Sequence, residues 1–546
     1  MRKPDAELHS EGITACTRCA LRVITSASVD EQGEIEMKNR LAGWTIVLVC
    51  VLGAATAVRA QSDSQWTPAQ ASSLDHFIDS AMHQWKVPGL AIGIVRGSSV
   101  VYLKGFGVRD IKSGEPVTPD TLFDIGSCTK AFTAASVAIL VDRGKMHWDE
   151  RVNEYVPFFH LRDPMADEYV TMRDLLTHRT GMGGTDLLWY GSPFSLEQII
   201  RRVRYIEPTE GFRARFQYQN VMYAAAGYAV GQASGGTWES FVRENIFEPL
   251  GIHGADFSAV DAQKAANHAT PHLEQASGTV ETIPWRNLDN IAPAGAINAG
   301  VRDMTKWIAM QLNDGVADGK RLISEKSMKE MHTPQIVVSQ GGEFGVFFPE
   351  SMQLSYGMGW FIEDYRGHQI ILHPGDIDGF ASVVVLIPEV HTGFVIFANL
   401  DHTPVREGLA FHLIDQFLGL PAEDWIAHFD GVAKGFAAAE EKQTQDEEKK
   451  QHADTHPSRE LAAYAGTYRN RAYGDVLVSL EGNHLAFQFY TFKSTLTHFQ
   501  YDTFVAGLAG LGGKTRVTFY LNGDGDVTKL STEGLEFERA NARPVN

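Results

Sequence analysis

Residues 123–150 read FDIGSCTKAFTAASVAILVDRGKMHWDE, and the interpretation of the whole chain turns on this stretch. Its centre is Ser127-Cys128-Thr129-Lys130. A serine at the mouth of an amphipathic run sets its hydroxyl beside the unpaired N–H groups of a helix start. Lys130 follows almost one turn later, so both side chains share a face. Behind them Phe132, Ala135, Val137, Ala138, Leu140 and Val141 supply a nearly all-apolar helix, the pattern of a buried central one. A serine hydroxyl is a weak nucleophile that needs an adjacent base, and a neutral lysine amine can serve. For that, Lys130 must come down from about 10.4 toward neutrality. The helix N-terminus contributes at most ~2 kcal/mol, about 1.5 pH units. Burial moves a lysine by up to ~3–5 pH units, so desolvation has to carry most of the change. Alone, Ser-x-x-Lys is a weak signal, because a serine opening a helix is commonly only a cap.

Composition narrows the classes. The chain has 546 residues, enough for several domains, with 44% hydrophobic and 21% charged residues, ordinary for a globular protein. Lys plus Arg total 48 against 67 Asp plus Glu, a net charge of −19. An acidic chain without a basic cluster argues against nucleic acid as a partner.

Toward the N-terminus, Met37-Lys38-Asn39-Arg40 is a short basic region ahead of the apolar run 41–58, which closes on Val58-Arg59-Ala60. This reads as a signal peptide over 37–60 with cleavage after Ala60, the alternative being an uncleaved anchor. Residues 1–36 read as an extension upstream of the true start at Met37, the alternative being a cytoplasmic tail. They carry a single Cys16-Thr17-Arg18-Cys19, weak for zinc or redox chemistry. After cleavage only Cys128 of the four cysteines remains, so no intrachain disulfide forms. Export without disulfides fits a bacterial periplasmic or secreted protein with no stable membrane span.

Downstream of the leader, Thr67-Pro68-Ala69-Gln70 predicts a capped helix start. Gly89–Val95 and Val100–Leu103 predict a hairpin, with Gly105-Phe106-Gly107 continuing its second strand rather than forming a dinucleotide loop. Residues 144–157 read as a surface excursion. Thr171–His178 predicts a short capped helix running into the Gly-rich loop 179–184, where His178 is expected to bond backbone rather than act in catalysis.

Two further constellations carry chemistry. Tyr218-Gln219-Asn220 precedes the helical run Val221–Ala233; a phenol can relay protons and an amide can bind a substrate carbonyl. His373-Pro374-Gly375-Asp376 follows an apolar strand, and Gly375 permits close backbone approach along one wall of a cleft. The backbone N–H of Asp376 is placed to pair with that of Ser127 as an oxyanion hole.

Ser127-x-x-Lys130, Tyr218-x-Asn220 and His373-x-Gly375, in this order, resemble the active-site set of serine β-lactamases, penicillin-binding proteins and their esterase and D-aminopeptidase relatives. The similarity spans roughly residues 70–420 and includes FDIGSCTKAFTA, DLLTHRTGM and Pro293–Trp307. It implies an α+β fold: a five-stranded antiparallel sheet flanked by helices, an inserted helical lobe, and the active site between them. It further implies Ser127, Lys130 and Tyr218 as catalytic, Ser127 and Asp376 as oxyanion donors, and Asn220, His373 and Gly375 as substrate-binding, with no metal or organic cofactor.

The hydrolase domain is set at 61–430 and a charged linker, or solvated helix, at 431–458. Residues 459–546 read as a small all-β barrel resembling the lipocalin-like tail of some family members. The barrel is expected to cap the cleft or mediate a homo-oligomer. Asn522, Asp524, Asp526 and Glu533 have calcium-loop spacing, but Val527 replaces the required Gly, so a hairpin is favoured.

The resulting expectation is an exported acyl-enzyme hydrolase of esters, amides or D-amino-acid peptides, a small acyl substrate or peptide being its partner. Where β-lactamases have Lys-Thr-Gly, this chain offers a largely neutral imidazole and a proline without a donor, which ranks β-lactam hydrolysis lower. The alternative is a penicillin-binding sensor that acylates without turnover.

Overall fold

The computed structural model describes residues 66–341, 343–452, 454–508 and 513–540. Residues 37–60, expected to be a signal peptide, and residues 1–36, expected to be an upstream extension, lie outside the described residues.

Helix α1 (Pro68–Gln84) opens with the expected capping box: Thr67 accepts from the Gln70 N–H, and the Gln70 side chain reaches back to the Thr67 N–H. Strands β1 (Gly89–Arg96) and β2 (Ser99–Gly107) form the expected hairpin. Helix α2 (Thr129–Asp142) follows the motif serine, and α3 (Asn220–Ser234) is the long helix of the inserted lobe. Helix α4 (Val301–Leu312) returns the chain to the sheet. Strands β3 (Ile336–Val337), β4 (Ser351–Tyr356), β5 (Phe361–Tyr365), β6 (His368–Ile377), β7 (Phe380–Ile387) and β8 (Thr392–Ala398) complete it.

The sheet order is β2-β1-β8-β7-β6-β5-β4-β3, antiparallel throughout. The N-terminal hairpin thus joins the C-terminal strands, with Leu90 opposite Ala398. Every residue of β7 and β8 is buried, as in a central strand covered on both faces. Helices α1 and α5 (Val405–Leu418) cover one face; α2, α4 and the lobe lie on the other. Each fully buried Val, Ile or Leu side chain contributes about 1.5–3 kcal/mol.

The architecture is the expected α+β one, with a correction in strand number: eight rather than five. Strands β3, β4 and β5 extend the sheet beyond β6. They are short, and the outer half of β4 is partly exposed, so their hydrophobic alternation is weak. Residues 144–157 also depart from expectation. Met146, Val152 and Val156 are fully buried, and Val152–Tyr155 is helical, because the segment packs beneath the lobe rather than over its surface.

Helix α6 (Trp425–Lys449) takes up much of the charged stretch, burying only Trp425 and Phe429. Beyond it, β9 (Gly466–Asn470), β10 (Gly474–Glu481), β11 (His484–Phe489), β12 (Phe492–Gln500), β13 (Thr503–Leu508), β14 (Gly513–Leu521), β15 (Val527–Thr532) and β16 (Leu535–Arg539) pair in sequence order and close β16 on β9. The barrel interior is filled by Tyr464, Tyr468, Val476, Phe487, Phe504, Val517, Phe519, Leu530 and Phe537. The suspected calcium loop is a hairpin turn in which Asn522 Oδ1 accepts from the N–H groups of Asp524 and Asp526 at 3.0 and 2.8 Å. Among the described residues, no helix is long and apolar enough to cross a membrane.

Candidate active site

Ser127 sits in a single 3₁₀ turn, Gly126–Cys128, leading into α2, and neither helix start has a side-chain cap. The hydroxyl therefore does not cap the helix. It faces Lys130, whose Nζ lies 2.9 Å from Ser127 Oγ. The same Nζ donates to Asn220 Oδ1 and to the Ala294 carbonyl, each at 2.8 Å. Both of these are obligate acceptors, so a neutral amine spends its two hydrogens on them and turns its lone pair to the one partner able to donate, the serine hydroxyl. Lys130 is fully buried, and desolvation brings its pKa down to about 7 against the opposing pull of Asp186. Burial is thus the dominant cause, as the sequence argument requires.

Tyr218 and Asn220 flank Gln219 at the start of α3. The Tyr218 phenol is within hydrogen-bonding reach of Ser127, and burial holds its pKa well above the usual phenol value. Its ring lies 4.7 Å from Lys130 Nζ. Asn220 is less free for substrate than expected: Oδ1 faces Lys130, and Nδ2 donates to Asp186 Oδ1 at 3.0 Å. Asp186, also held by the Trp189 indole at 2.8 Å, fixes which way the amide points.

His178 holds this segment from behind. Its carbonyl accepts from Gln217 N–H at 2.7 Å, and its Nδ1 accepts from Gln219 N–H at 2.9 Å, so both neighbours of Tyr218 are tied to one residue. Its φ of +55° makes this double contact possible. The imidazole is fully buried, and desolvation keeps it neutral.

The third constellation lies within β6. Gly126, at φ +48°, presses against the next residue but one after Pro374: a Cβ there would stand 3.0 Å from Asp376 N. At Gly375 a Cβ would stand 2.2 Å from the Ile125 carbonyl oxygen. These contacts bring the Asp376 N–H beside the Ser127 turn. The Asp376 carboxylate pairs with Arg406 of α5 at 2.8 Å; this buried guanidinium also donates to the Gly375 carbonyl and binds Glu407.

His373 requires a correction. Expected to bind substrate, its side chain is only 1% exposed. Nδ1 donates to the Pro374 carbonyl at 2.6 Å, and Nε2 accepts from the Tyr356 hydroxyl at 2.9 Å. Desolvation pushes its pKa down to about 3, so the ring is neutral and both nitrogens are engaged. Imidazole is flat and can be buried with two partners, whereas the lysine of the β-lactamase pattern has a cation to keep solvated.

Ser127, Lys130, Tyr218, Asn220, Gly375 and Asp376 therefore converge, while His373 supports from beneath. Sequence reasoning missed Asp186 and the Ala294 carbonyl. The second lies in the Pro293–Trp307 stretch already singled out by resemblance; Asp186 has no local signal. Among the described residues, no cluster of His, Cys, Asp and Glu has the geometry to hold a metal ion.

Residues 74–418 match the Beta-lactamase family model. The chain belongs to the β-lactamase family. Residues 450–543 match a domain of unknown function, DUF3471. Unguisins hydrolase ungD of Aspergillus violaceofuscus is 29% identical over 493 residues, 83% of this chain and 86% of that protein. Protein flp of Staphylococcus aureus is 25% identical over 364 residues, 66% of this chain and 68% of its own length. An octameric penicillin-binding protein homologue from Pyrococcus abyssi superposes with a TM-score of 0.57 at 23% identity, covering 85% of this chain and 99% of its own, a likeness of fold. This β-lactamase-family serine hydrolase therefore shares its fold with a penicillin-binding protein homologue and carries a C-terminal eight-stranded barrel.

Proposed function

We propose that the protein is an exported hydrolase that works through an acyl-enzyme on esters, amides or D-amino-acid peptides, with β-lactams as poorer substrates. Ser127 attacks the carbonyl, Lys130 takes its proton, and Tyr218 delivers a proton to the leaving group. The N–H groups of Ser127 and Asp376 hold the oxyanion, and Asn220 sets the lysine. The observation that carries this reading is the three-partner environment of Lys130, which favours a neutral amine aimed at Ser127 Oγ.

The substrate ranking rests on charge. A β-lactam carboxylate needs a cation, but His373 is neutral and buried, and Pro374 donates nothing. The arginines near the end of β6 are engaged elsewhere: Arg406 with Asp376 and Glu407, Arg286 with Asp378. A relative named for hydrolysing unguisins supports turnover over a stalled sensor.

Parallel kinetics on nitrocefin, a short-chain p-nitrophenyl ester and a D-alanyl amide test the ranking. The ester or the amide is expected to show the highest kcat/KM; a lead for nitrocefin overturns it, and a stoichiometric adduct without product on all three identifies a sensor. Export places the mature N-terminus near Gln61, checked by N-terminal sequencing. Self-association through the barrel, supported by exposed Leu477 and Tyr520 on its outer face, is checked by light scattering, where a monomer refutes it.

A further inference from the structure

The two walls of the cleft are joined at one end. Four residues after Asp186, the Tyr190 hydroxyl donates to Asp378 Oδ2 at 2.7 Å; Asp378 lies two residues beyond Asp376, just past β6. Arg286 donates to the same oxygen through Nε at 3.0 Å and Nη2 at 2.7 Å. Its Nη2 also donates to the Tyr190 hydroxyl at 2.9 Å, and its guanidinium lies 4.1 Å from the Tyr190 ring centroid. Arg286 and Asp378 are 22% and 20% exposed, so this charge-assisted cluster is largely shielded from water.

The barrel backs the same residue. Phe492, at the start of β12, stacks on Tyr190 with ring centroids 5.9 Å apart and planes 8° from parallel. Thr491 Oγ1 donates to the Gly191 carbonyl at 3.3 Å. The neighbouring turn is gripped by Arg202, whose Nη1 donates to the carbonyls of Arg471 and Ala472 at 3.1 and 2.9 Å. Tyr490 packs edge-on against Phe194 at 5.6 Å. Two hairpin turns of the barrel therefore hold both ends of the segment that carries Tyr190.

The direction of this end follows from the chemistry. A leaving group must sit near its proton donor, Tyr218, whose ring lies 6.3 Å from that of His373 on β6. With the carbonyl oxygen between the N–H groups of Ser127 and Asp376, the acyl substituent has to run the other way, along the end of β6 toward Asp378. We infer that Tyr190, held by Asp378 and Arg286 and backed by Phe492 of the barrel, is the end wall of the acyl-binding side of the cleft and restricts the enzyme to acyl groups of few carbons. The inference rests on the acyl-enzyme reading above and makes the barrel a specificity-determining part of the hydrolase site.

The test compares wild type with Tyr190→Ala and Phe492→Ala on p-nitrophenyl acetate and octanoate, and on a second pair with a fixed acetyl group and a short or long alkyl alcohol. Removing the wall is expected to raise the octanoate-to-acetate ratio of kcat/KM about tenfold or more in Tyr190→Ala and by a smaller factor in Phe492→Ala. The ratio for the two alcohols should stay fixed. An unchanged acyl ratio, or a shift confined to the alcohols, overturns the inference. Should Tyr190→Ala fail to fold, Tyr190→Phe, which removes only the hydroxyl bonded to Asp378, and Phe492→Ala carry the same comparison. A fluorophosphonate probe read by peptide mapping separates the two levels: labelling at Ser127 with unchanged ratios removes the end wall alone, whereas no labelling of wild type removes the acyl-enzyme reading and the inference with it.

Discussion

The described residues form two antiparallel eight-stranded structures, and these differ in how they are assembled. In the barrel each strand pairs with its sequence neighbours and only the closure of β16 on β9 is distant. Its interior is packed with aromatic and aliphatic side chains. In the hydrolase sheet, β1 pairs with β8, some 300 residues further along, and the intervening chain makes the lobe. The open sheet leaves a seam against the lobe, where backbone and side chains from three distant segments meet. A closed, locally paired sheet spends its inner face on its own core; an open one with an insertion has a place to build a site.

The strongest way to break that comparison is at the seam itself. Ser127→Ala is expected to reduce turnover roughly 10⁴-fold or more while circular dichroism and melting stay those of wild type. Turnover near the wild-type rate would mean that the seam is not where the chemistry occurs.

His178 comes next. Its Nδ1 and carbonyl hold Gln219 and Gln217, so His178→Ala should let Tyr218 and Asn220 shift and lower kcat by about 10²-fold with a smaller change in KM. His178→Asn should recover much of the loss, because Asn tolerates positive φ and offers an acceptor near the Nδ1 position. Equal losses in both variants would exclude the positioning role.

A smaller and continuous effect is the pH profile. Lys130 acts as a base only when neutral, and its pKa is brought down to about 7. The rate should therefore fall about tenfold per pH unit below neutrality. Asp186 opposes that lowering, so Asp186→Ala should move the acid limb to lower pH; a limb moved upward would contradict the assigned cause. The same group affects stability: neutral in the fold and charged in the unfolded chain between about pH 7 and its ordinary value, it makes stability rise with pH across that window.

The smallest effect on turnover is expected inside the barrel. Val517→Ala should reduce stability by about 1–3 kcal/mol in denaturant titration while leaving kcat within about twofold. A loss comparable to that of His178→Ala would show that barrel interior and seam act as one unit.

Local chemistry in the sequence determined much of this. The Thr67–Gln70 cap, the β1–β2 hairpin, the barrel turns and the apolar face of α2 depend on residues a few positions apart, and they are present as expected. Ser127, Lys130, Tyr218, Asn220, Gly375 and Asp376 are legible as candidates because three short motifs, each weak alone, stand in the order that resembles the family's active-site set. Strands β3–β5 were not, since short and partly exposed strands carry little periodicity. Only the tertiary structure decided that His373 faces inward, that Asp186 and the Ala294 carbonyl complete the lysine's surroundings, and that Arg406 pairs with the Asp376 carboxylate. The physical reason is that desolvation and hydrogen-bond satisfaction depend on neighbours brought from far along the chain. A lysine's sequence context can require its pKa to fall, but only packing removes the water that keeps it high.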